Sequence, residues 1–528
     1  MQLYRASNLL LFSTLLRSAN SFSQPSPFSS FGAIFHNSSK HNSSSHSITT
    51  GTSARTSIAS SRTSTSTSTS INTSTMVSQP DNSTIPKVSI SDAFDGGNGN
   101  INRIETINDQ LTVYVDMKKD PFTELEQVHH SQYFSFRSTV KGSSGKSVKY
   151  VLANAGDASY PSAWEGSTTF YSTTPSIPSS WRRKLDTSYD ATTGELSWTH
   201  EHDSDSSSSS IYFAYFPPFS YDRHLHLIAQ CEAATSASVE SLGQTLDGRE
   251  MECITVGTGD KICWIIHRQH PGENMAEFYA EGLLTRLLGL GGNDYAVDGQ
   301  VRDVLKMYTF YIVPNMCPDG AFRGHLRTNA QGQNLNREWC STGSVGDYDY
   351  YEAPTLKRSP EVYHILKKMD ETGCDAFLDV HGDEELPFNF LAGGEGCPNW
   401  APRLKHLHGA FLAKYSRVNS DMQVPVGYNP EDTGNGRMNV CSNQITSRFN
   451  CFAATLEMPF KDCMSNPDPE RGWNGARAAM LGSSVLEALA YVGPFLRLED
   501  EKELEHAFDL MKEDAYVRPS ADYKSIVK

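Results

Sequence analysis

From about Ile90 to Ser220 the chain alternates apolar and polar residues over short stretches, the period of half-buried strands. Phe134 and Phe136 alternate in QYFSFR, Leu196 and Trp198 alternate in GELSWTH, and the apolar IYFAYF from Ile211 has the length of a buried strand. Turn-rich runs such as NAGDASYPS and HDSDSSSSS separate them. The pattern predicts an antiparallel β-sandwich over 90–220. After Pro217 and Pro218 apolar strands alternate with longer amphipathic stretches. This predicts an α/β unit over 221–495, a mixed, mostly parallel sheet flanked by helices. Its strands are KICWIIH from Lys261, MYTFYIVPN from Met307, CDAFLDVH from Cys374 and FAATLEM from Phe452. One helix is expected from about Glu273 to Leu288. Another follows Ser359 as N-cap, with Pro360 at its first position and Gly373 closing it. The charged stretch 496–528 reads as a peripheral helix or loose tail. No run of 18 apolar residues is present, so no membrane span is expected.

Composition changes the picture at the front of the chain. Residues 1–80 hold 35 Ser and Thr and no acidic residue, so residues 1–82 read as a disordered presequence that cannot bury a core. An apolar run from Leu9 to Leu16 behind Arg5 resembles a signal peptide, and the scattered arginines fit a transit peptide equally well. The expectation is an organelle after cleavage, or the cytoplasm if translation starts at Met76. The sequons at Asn37, Asn42, Asn72 and Asn82 all precede the folded part. Beyond residue 80 stand 40 basic and 61 acidic residues, a formal charge of −21, which argues against nucleic acid as a partner. Ten cysteines spread between Cys231 and Cys463 without a CxxC pair read as reduced thiols.

Three strand ends deliver chemistry-bearing residues, where α/β sheets place their sites. HPGE supplies His270 and Glu273 between a strand and a helix. DVHGD places His381 directly after an apolar strand, and TLEMP leaves Glu457 at the end of another. A buried carboxylate costs several kcal/mol unless it is paired or functional, which makes Glu457 the most telling position. Two histidines and one carboxylate form a three-ligand set with an open position, the arrangement of catalytic zinc, and a second glutamate can then take a proton from water. RTNAQGQNLNREW adds Arg327, Asn336 and Arg337, and the guanidinium forks of the two arginines suit carboxylates and oxyanions.

These elements together resemble the zinc carboxypeptidase family of carboxypeptidase A, and within it the cytosolic carboxypeptidase branch. The motifs that carry the resemblance are HPGE, a Cys-Pro-Asp-Gly variant of the family's Asn-Pro-Asp-Gly turn at 317–320, NLNREW, DVHGDEELPFNF and TLEMPFKD. The front segment, with NAGDASYPSAW and YFAYFPPFSYDRHLHL, resembles the N-terminal domain of that branch. The resemblance implies one zinc per chain on His270, Glu273 and His381, with Glu457 as general base and then proton donor. It implies Arg327 polarising the scissile carbonyl, and Asn336 and Arg337 gripping the terminal carboxylate of a peptide or protein substrate. Two departures stand out: Asn334 where the family commonly has an aspartate orienting a zinc histidine, and Cys317 in the turn. Tyr428 is the candidate for the substrate-capping tyrosine. The branch is similar to enzymes that trim glutamates, for which Arg437 and Arg448 are the cations on the approach to Glu457. His200, His202 and Asp203 read as an exposed strand end, and the pairs His224/His226 and His406/His408 as structural. Two other function classes are a zinc amidohydrolase acting on small N-acyl amino acids and a non-catalytic binding module. Oligomeric state is left open.

Overall fold

The computed structural model describes residues 87–123, 129–142, 147–203, 208–290, 297–340 and 352–526. The expected presequence, Met76 and the four sequons lie outside the described residues.

The first region is a sandwich of two five-stranded sheets. One runs Lys87–Ser91 (β1), Ser135–Lys141 (β4), Ser208–Ala214 (β10), Thr169–Ser172 (β6), Arg182–Lys184 (β7). The other runs Asn100–Ile107 (β2), Gln110–Asp116 (β3), Ser147–Leu152 (β5), Glu195–Glu201 (β9), Ser188–Asp190 (β8). Pairing is antiparallel, as expected, except between β3 and β5, which are parallel. Between the sheets lies an aromatic core of Phe134, Phe136, Tyr150, Trp164, Trp198 and Phe213, all buried. Trp198 stacks on Tyr150 with centroids 6.0 Å apart.

The second region is a seven-stranded sheet in the order Ala237–Gln244 (β11), Glu250–Gly257 (β12), Tyr308–Val313 (β14), Lys261–His267 (β13), Ala376–Val380 (β15), Phe452–Glu457 (β17), Phe390–Ala392 (β16). The four central strands, β14, β13, β15 and β17, are parallel, and both flanks are antiparallel. "Mostly parallel" therefore holds for the centre alone. Helices Tyr221–Ala233 (α1), Met275–Leu288 (α2), Gly299–Met307 (α3), Pro318–Arg323 (α4), Pro360–Thr372 (α5), Pro402–Val418 (α6), Cys441–Phe449 (α7) and Gly475–Val492 (α8) accompany it. Ser359 flanks α5 as expected, but its hydroxyl donates to Glu338 instead of capping the helix. By length and composition α8 is apolar enough to cross a membrane. It packs against α2 and α6 with Leu481, Val485 and Leu489 fully buried, the place of a core helix. All ten cysteines are buried and unbridged.

The stretch after Arg497 is not a loose tail. Helix Glu501–Leu510 (α9) leads to Ala507 and Met511, both buried in the core, and Asp514 pairs with Arg417 at 2.5 Å. The segment then runs alongside 425–430, where Ser520 N donates to Pro425 O and Arg518 Nη2 to Pro430 O, before the short helix Tyr523–Ile526 (α10).

Candidate active site

Register brings the site together. His267 lies opposite Val380 and Val380 opposite Leu456, so β13, β15 and β17 end level with one another and their following residues meet. His270 and Glu273 come from the β13–α2 connection, His381 follows β15, and Glu457 closes β17.

Glu273 sits between the two imidazoles. Its Oε1 is 2.6 Å from His270 Nδ1 and its Oε2 2.9 Å from His381 Nδ1, and the two Nδ1 atoms are 3.1 Å apart. All three side chains are buried. The far ring nitrogens both meet acceptors: His270 Nε2 is 3.1 Å from Asn334 Oδ1 and His381 Nε2 2.9 Å from Asp379 Oδ2. The Nε2 protons satisfy those acceptors, which leaves the Nδ1 lone pairs facing a carboxylate. Acceptors facing acceptors in a buried site are costly. A cation removes the conflict, and the gap suits a four-coordinate ion, whose ligand atoms lie about 3.3 Å apart. Among the described residues this is the one cluster of three such ligands. Gly382 completes the cradle. Its amide donates to Glu273 Oε2 at 3.0 Å, and a Cβ there would stand 2.5 Å from Met275 sulfur.

The electrostatics follow from burial and these neighbours. Burial, with Arg327 nearby, pushes His270 down to about 3. Burial would raise Glu273, but the two imidazoles outweigh it and hold the carboxyl well below the usual range. Burial works against charge on His381 too, and there Asp379 and Glu273 win and raise it. Glu457 is raised by burial and by Glu273, against the pull of His381. Glu457 Oε2 is buried and makes no hydrogen bond to a described residue, an acceptor held in reserve beside the three ligand groups.

A cavity of about 370 Å3 opens over this group, lined among others by Arg327, Asn336, Arg337, Tyr428 and Glu457. Asn336 Oδ1 accepts from Cys441 N at 2.8 Å, leaving the amide nitrogen to face the cavity. Arg337 Nη1 donates to Asn336 O at 2.7 Å. Tyr428 OH donates to Asp383 Oδ2 at 2.6 Å and lies 3.3 Å from Glu457 Oε1. Arg448 is elsewhere: on α7 it forms a bidentate pair with Asp370 of α5, which takes it out of the cavity. Arg437 is exposed and does not line the cavity itself.

Several contributors escaped the sequence reading. Asp120, in the loop after β3, is buried and accepts from the backbone amides of Leu326, Arg327 and Thr328 at 2.7, 2.8 and 2.9 Å and from Thr328 Oγ1 at 3.0 Å. The sandwich thereby fixes the loop that carries Arg327. Tyr160, also from the sandwich, lines the cavity. Glu384 lines it as well and is raised to about 8 by burial and by Glu273. Gln269 ties Asp379 to Trp339, with Nε2 donating to Asp379 Oδ2 and Oε1 accepting from the indole. Asp379 was findable by the rule applied to Glu457, a charged residue inside a buried strand. Nothing local marks Asp120, which is more than 200 residues from its partners. Cys317 also finds its place: its thiol lies 3.8 Å from Thr328 O, packed beneath the Arg327 loop.

Residues 90–216 match the family model of the cytosolic carboxypeptidase N-terminal domain, and residues 226–469 that of the zinc carboxypeptidases. A metallo-carboxypeptidase of Pseudomonas aeruginosa, solved with (2-guanidinoethylmercapto)succinic acid, is 34% identical, with a TM-score of 0.67 over 77% of this chain and 100% of that one. The chain belongs to the zinc carboxypeptidase family. A Burkholderia cenocepacia metallo-carboxypeptidase is 36% identical, with a TM-score of 0.67 over 78% of this chain and 100% of that one. Human cytosolic carboxypeptidase 6 is 26% identical over 34% of this chain and 35% of its own length. The protein is a metallocarboxypeptidase with the N-terminal domain of the cytosolic branch.

Proposed function

We propose that this metallocarboxypeptidase removes C-terminal residues from peptides or proteins, using one zinc ion on His270, Glu273 and His381. The observation that carries the reading is the pair of imidazole Nδ1 atoms turned onto one carboxylate, with the unpartnered Oε2 of Glu457 beside them. When bound, zinc supplies a Lewis acid and lowers the pKa of water in the site. Asn334 and Asp379 hold the imidazoles in the tautomer that presents Nδ1. Asn336 Nδ2 and Arg337 bind the substrate's terminal carboxylate, which sets the register at the last peptide bond. The Glu457 carboxylate takes the proton of the attacking water and passes it to the leaving amine. The Arg327 guanidinium, which forms no ion pair with a described residue, stabilises the charge growing on the carbonyl oxygen. Tyr428 caps the bound end of the chain from the opposite wall.

The finer reading is a preference for C-terminal glutamate, and it rests on Arg437. This residue follows Gly436, whose Cα lies 2.7 Å from where a Cβ on the cavity-lining Gly396 would stand. Glu395 and Glu431 line the same cavity and act against a carboxylate side chain, so Arg437 must outweigh both. Digestion of peptides ending in Glu, Leu and Lys tests this, followed by mass spectrometry. Glutamate removed fastest supports Arg437, while lysine removed fastest transfers the selecting role to the two carboxylates. Loss of all turnover with a chelator and its return with zinc tests the metal.

A further inference from the structure

Arg268 is the last link of the strand ladder ahead of the metal ligands. β13 ends at His267, and Arg268 N still donates to Val380 O at 3.2 Å, the carbonyl that precedes His381. The residue then takes φ +58°, a backbone region that a Cβ disfavours and glycine enters freely. Its side chain is buried and is not among those lining the catalytic cavity. Nε donates to Pro271 O at 3.0 Å, Nη1 to Phe219 O at 3.0 Å and to Glu277 Oε2 at 2.7 Å, and Nη2 to Asn274 Oδ1 at 2.5 Å. Pro271 lies between His270 and Glu273, Asn274 directly follows Glu273, Glu277 sits on α2, and Phe219 is where the chain leaves the sandwich. Asn274 Oδ1 also accepts from Phe219 N at 3.0 Å, and Gly272 N donates to Leu326 O at 2.9 Å. One guanidinium therefore fastens the turn 270–274 both to α2 and to the linker from the sandwich.

We propose that Arg268 is a positioning residue, whose fork of donors holds His270 and Glu273 in the geometry that meets His381; this deepens the carboxypeptidase reading above and rests on it. Two simpler roles explain less. A left-handed turn alone calls for glycine, so the backbone does not account for an arginine. Neutralising Glu277 alone needs one cation, and His224 already supplies it. Burial opposes charge on His224, but Glu277, 2.7 Å from its Nδ1, and Glu252 outweigh it and raise the ring to about 9. What the guanidinium alone supplies is a rigid planar fork that reaches a carboxylate, an amide oxygen and two backbone carbonyls at once. Without it the Pro271 carbonyl, in a buried turn, loses this donor. The two ligands on either side of that carbonyl are then held less firmly.

Arg268→Gly and Arg268→Lys in the full chain test this, with acetyl-Ala-Ala-Glu and acetyl-Ala-Ala-Leu as substrates. The glycine variant relieves the backbone and removes the fork, whereas the lysine variant keeps the charge and the apolar stem. In the glycine variant zinc is expected to pass to a chelator about tenfold faster than from the parent. Its kcat is expected to fall by about 10^2, with KM within about threefold. The lysine variant is expected to fall between the two, because a single ammonium cannot reach all four acceptors. Melting curves with and without zinc separate positioning from stability alone: a structural role lowers both curves alike, and a positioning role narrows the gap that zinc opens between them. The lysine variant carries the same readings if the glycine variant does not fold. Zinc release and kcat within about twofold of the parent in a folded variant, or both melting curves lowered with the gap unchanged, overturns the proposal and leaves the carboxypeptidase reading standing. A parent chain that takes up no zinc and cleaves neither peptide removes that reading, and this proposal with it.

Discussion

Two histidine clusters in this chain teach what separates a metal centre from a structural one. In the sandwich, His202 is buried with Nε2 2.8 Å from Tyr150 OH and Nδ1 2.5 Å from Ser209 Oγ, and His200 lies edge-on to it with centroids 5.0 Å apart. Hydroxyls both donate and accept, so each ring nitrogen of His202 is satisfied whatever its tautomer. In the catalytic region the partners are carboxylates and an amide oxygen gathered from separate elements, and a cation held there satisfies them together. The exposed strand end expected from HEHDSD holds for Asp203, but His200 is half-buried and His202 is buried. The aromatic core closes over the pair, and burial pushes both rings down to about 4.

The largest expected break in the catalytic cluster is Glu457→Gln, which removes the proton acceptor and leaves the three ligands. Stopped assays should show kcat lower by about 10^3 to 10^4, with zinc content unchanged. Arg327→Gln should cost about 10^2 to 10^3 in kcat by taking the fixed donor from the developing oxyanion. Asp120→Ala acts through the loop instead. A drop of about 10^2 in kcat with little change in KM is expected, since small misplacement of a catalytic group costs that much, and Asp120→Asn should recover part of it. Asn334→Asp replaces a neutral acceptor of His270 by a charged one, and competition with a chelator should show zinc held roughly tenfold tighter.

The sandwich cluster gives the smallest and most different effect. His200 and His202 titrate below their ordinary value of 6.5, so the unfolded chain binds more protons between pH 6.5 and about 4. The stability they contribute is complete above pH 6.5 and declines as pH falls through that window. His202→Gln should flatten the fall of the melting temperature over the same range and leave zinc content untouched. A fall in zinc content would erase the distinction between the two clusters.

How much of this was legible in the sequence depended on whether the signal was local. Strand ends could be read because apolar runs and the ligands that follow them are neighbours in the chain, so His270, Glu273, His381 and Glu457 were found together. Side chains brought in by tertiary docking could not. Asp120 reaches across to the Arg327 loop, and Pro519 of the C-terminal segment reaches the catalytic cavity, each from a stretch whose own pattern is that of an ordinary loop. Arg448 failed in the opposite sense: it is close in sequence to Glu457, but its helix turns it toward Asp370. Proximity along the chain is informative for a strand end and not for a helix that leads into it.

The most direct test is the zinc content of purified protein after dialysis, measured for the parent chain and for His270→Ala/His381→Ala. One zinc per parent chain and none in the double variant, with its melting curve otherwise intact, is the predicted result. Zinc retained at one per chain in the double variant would contradict the assignment of the site.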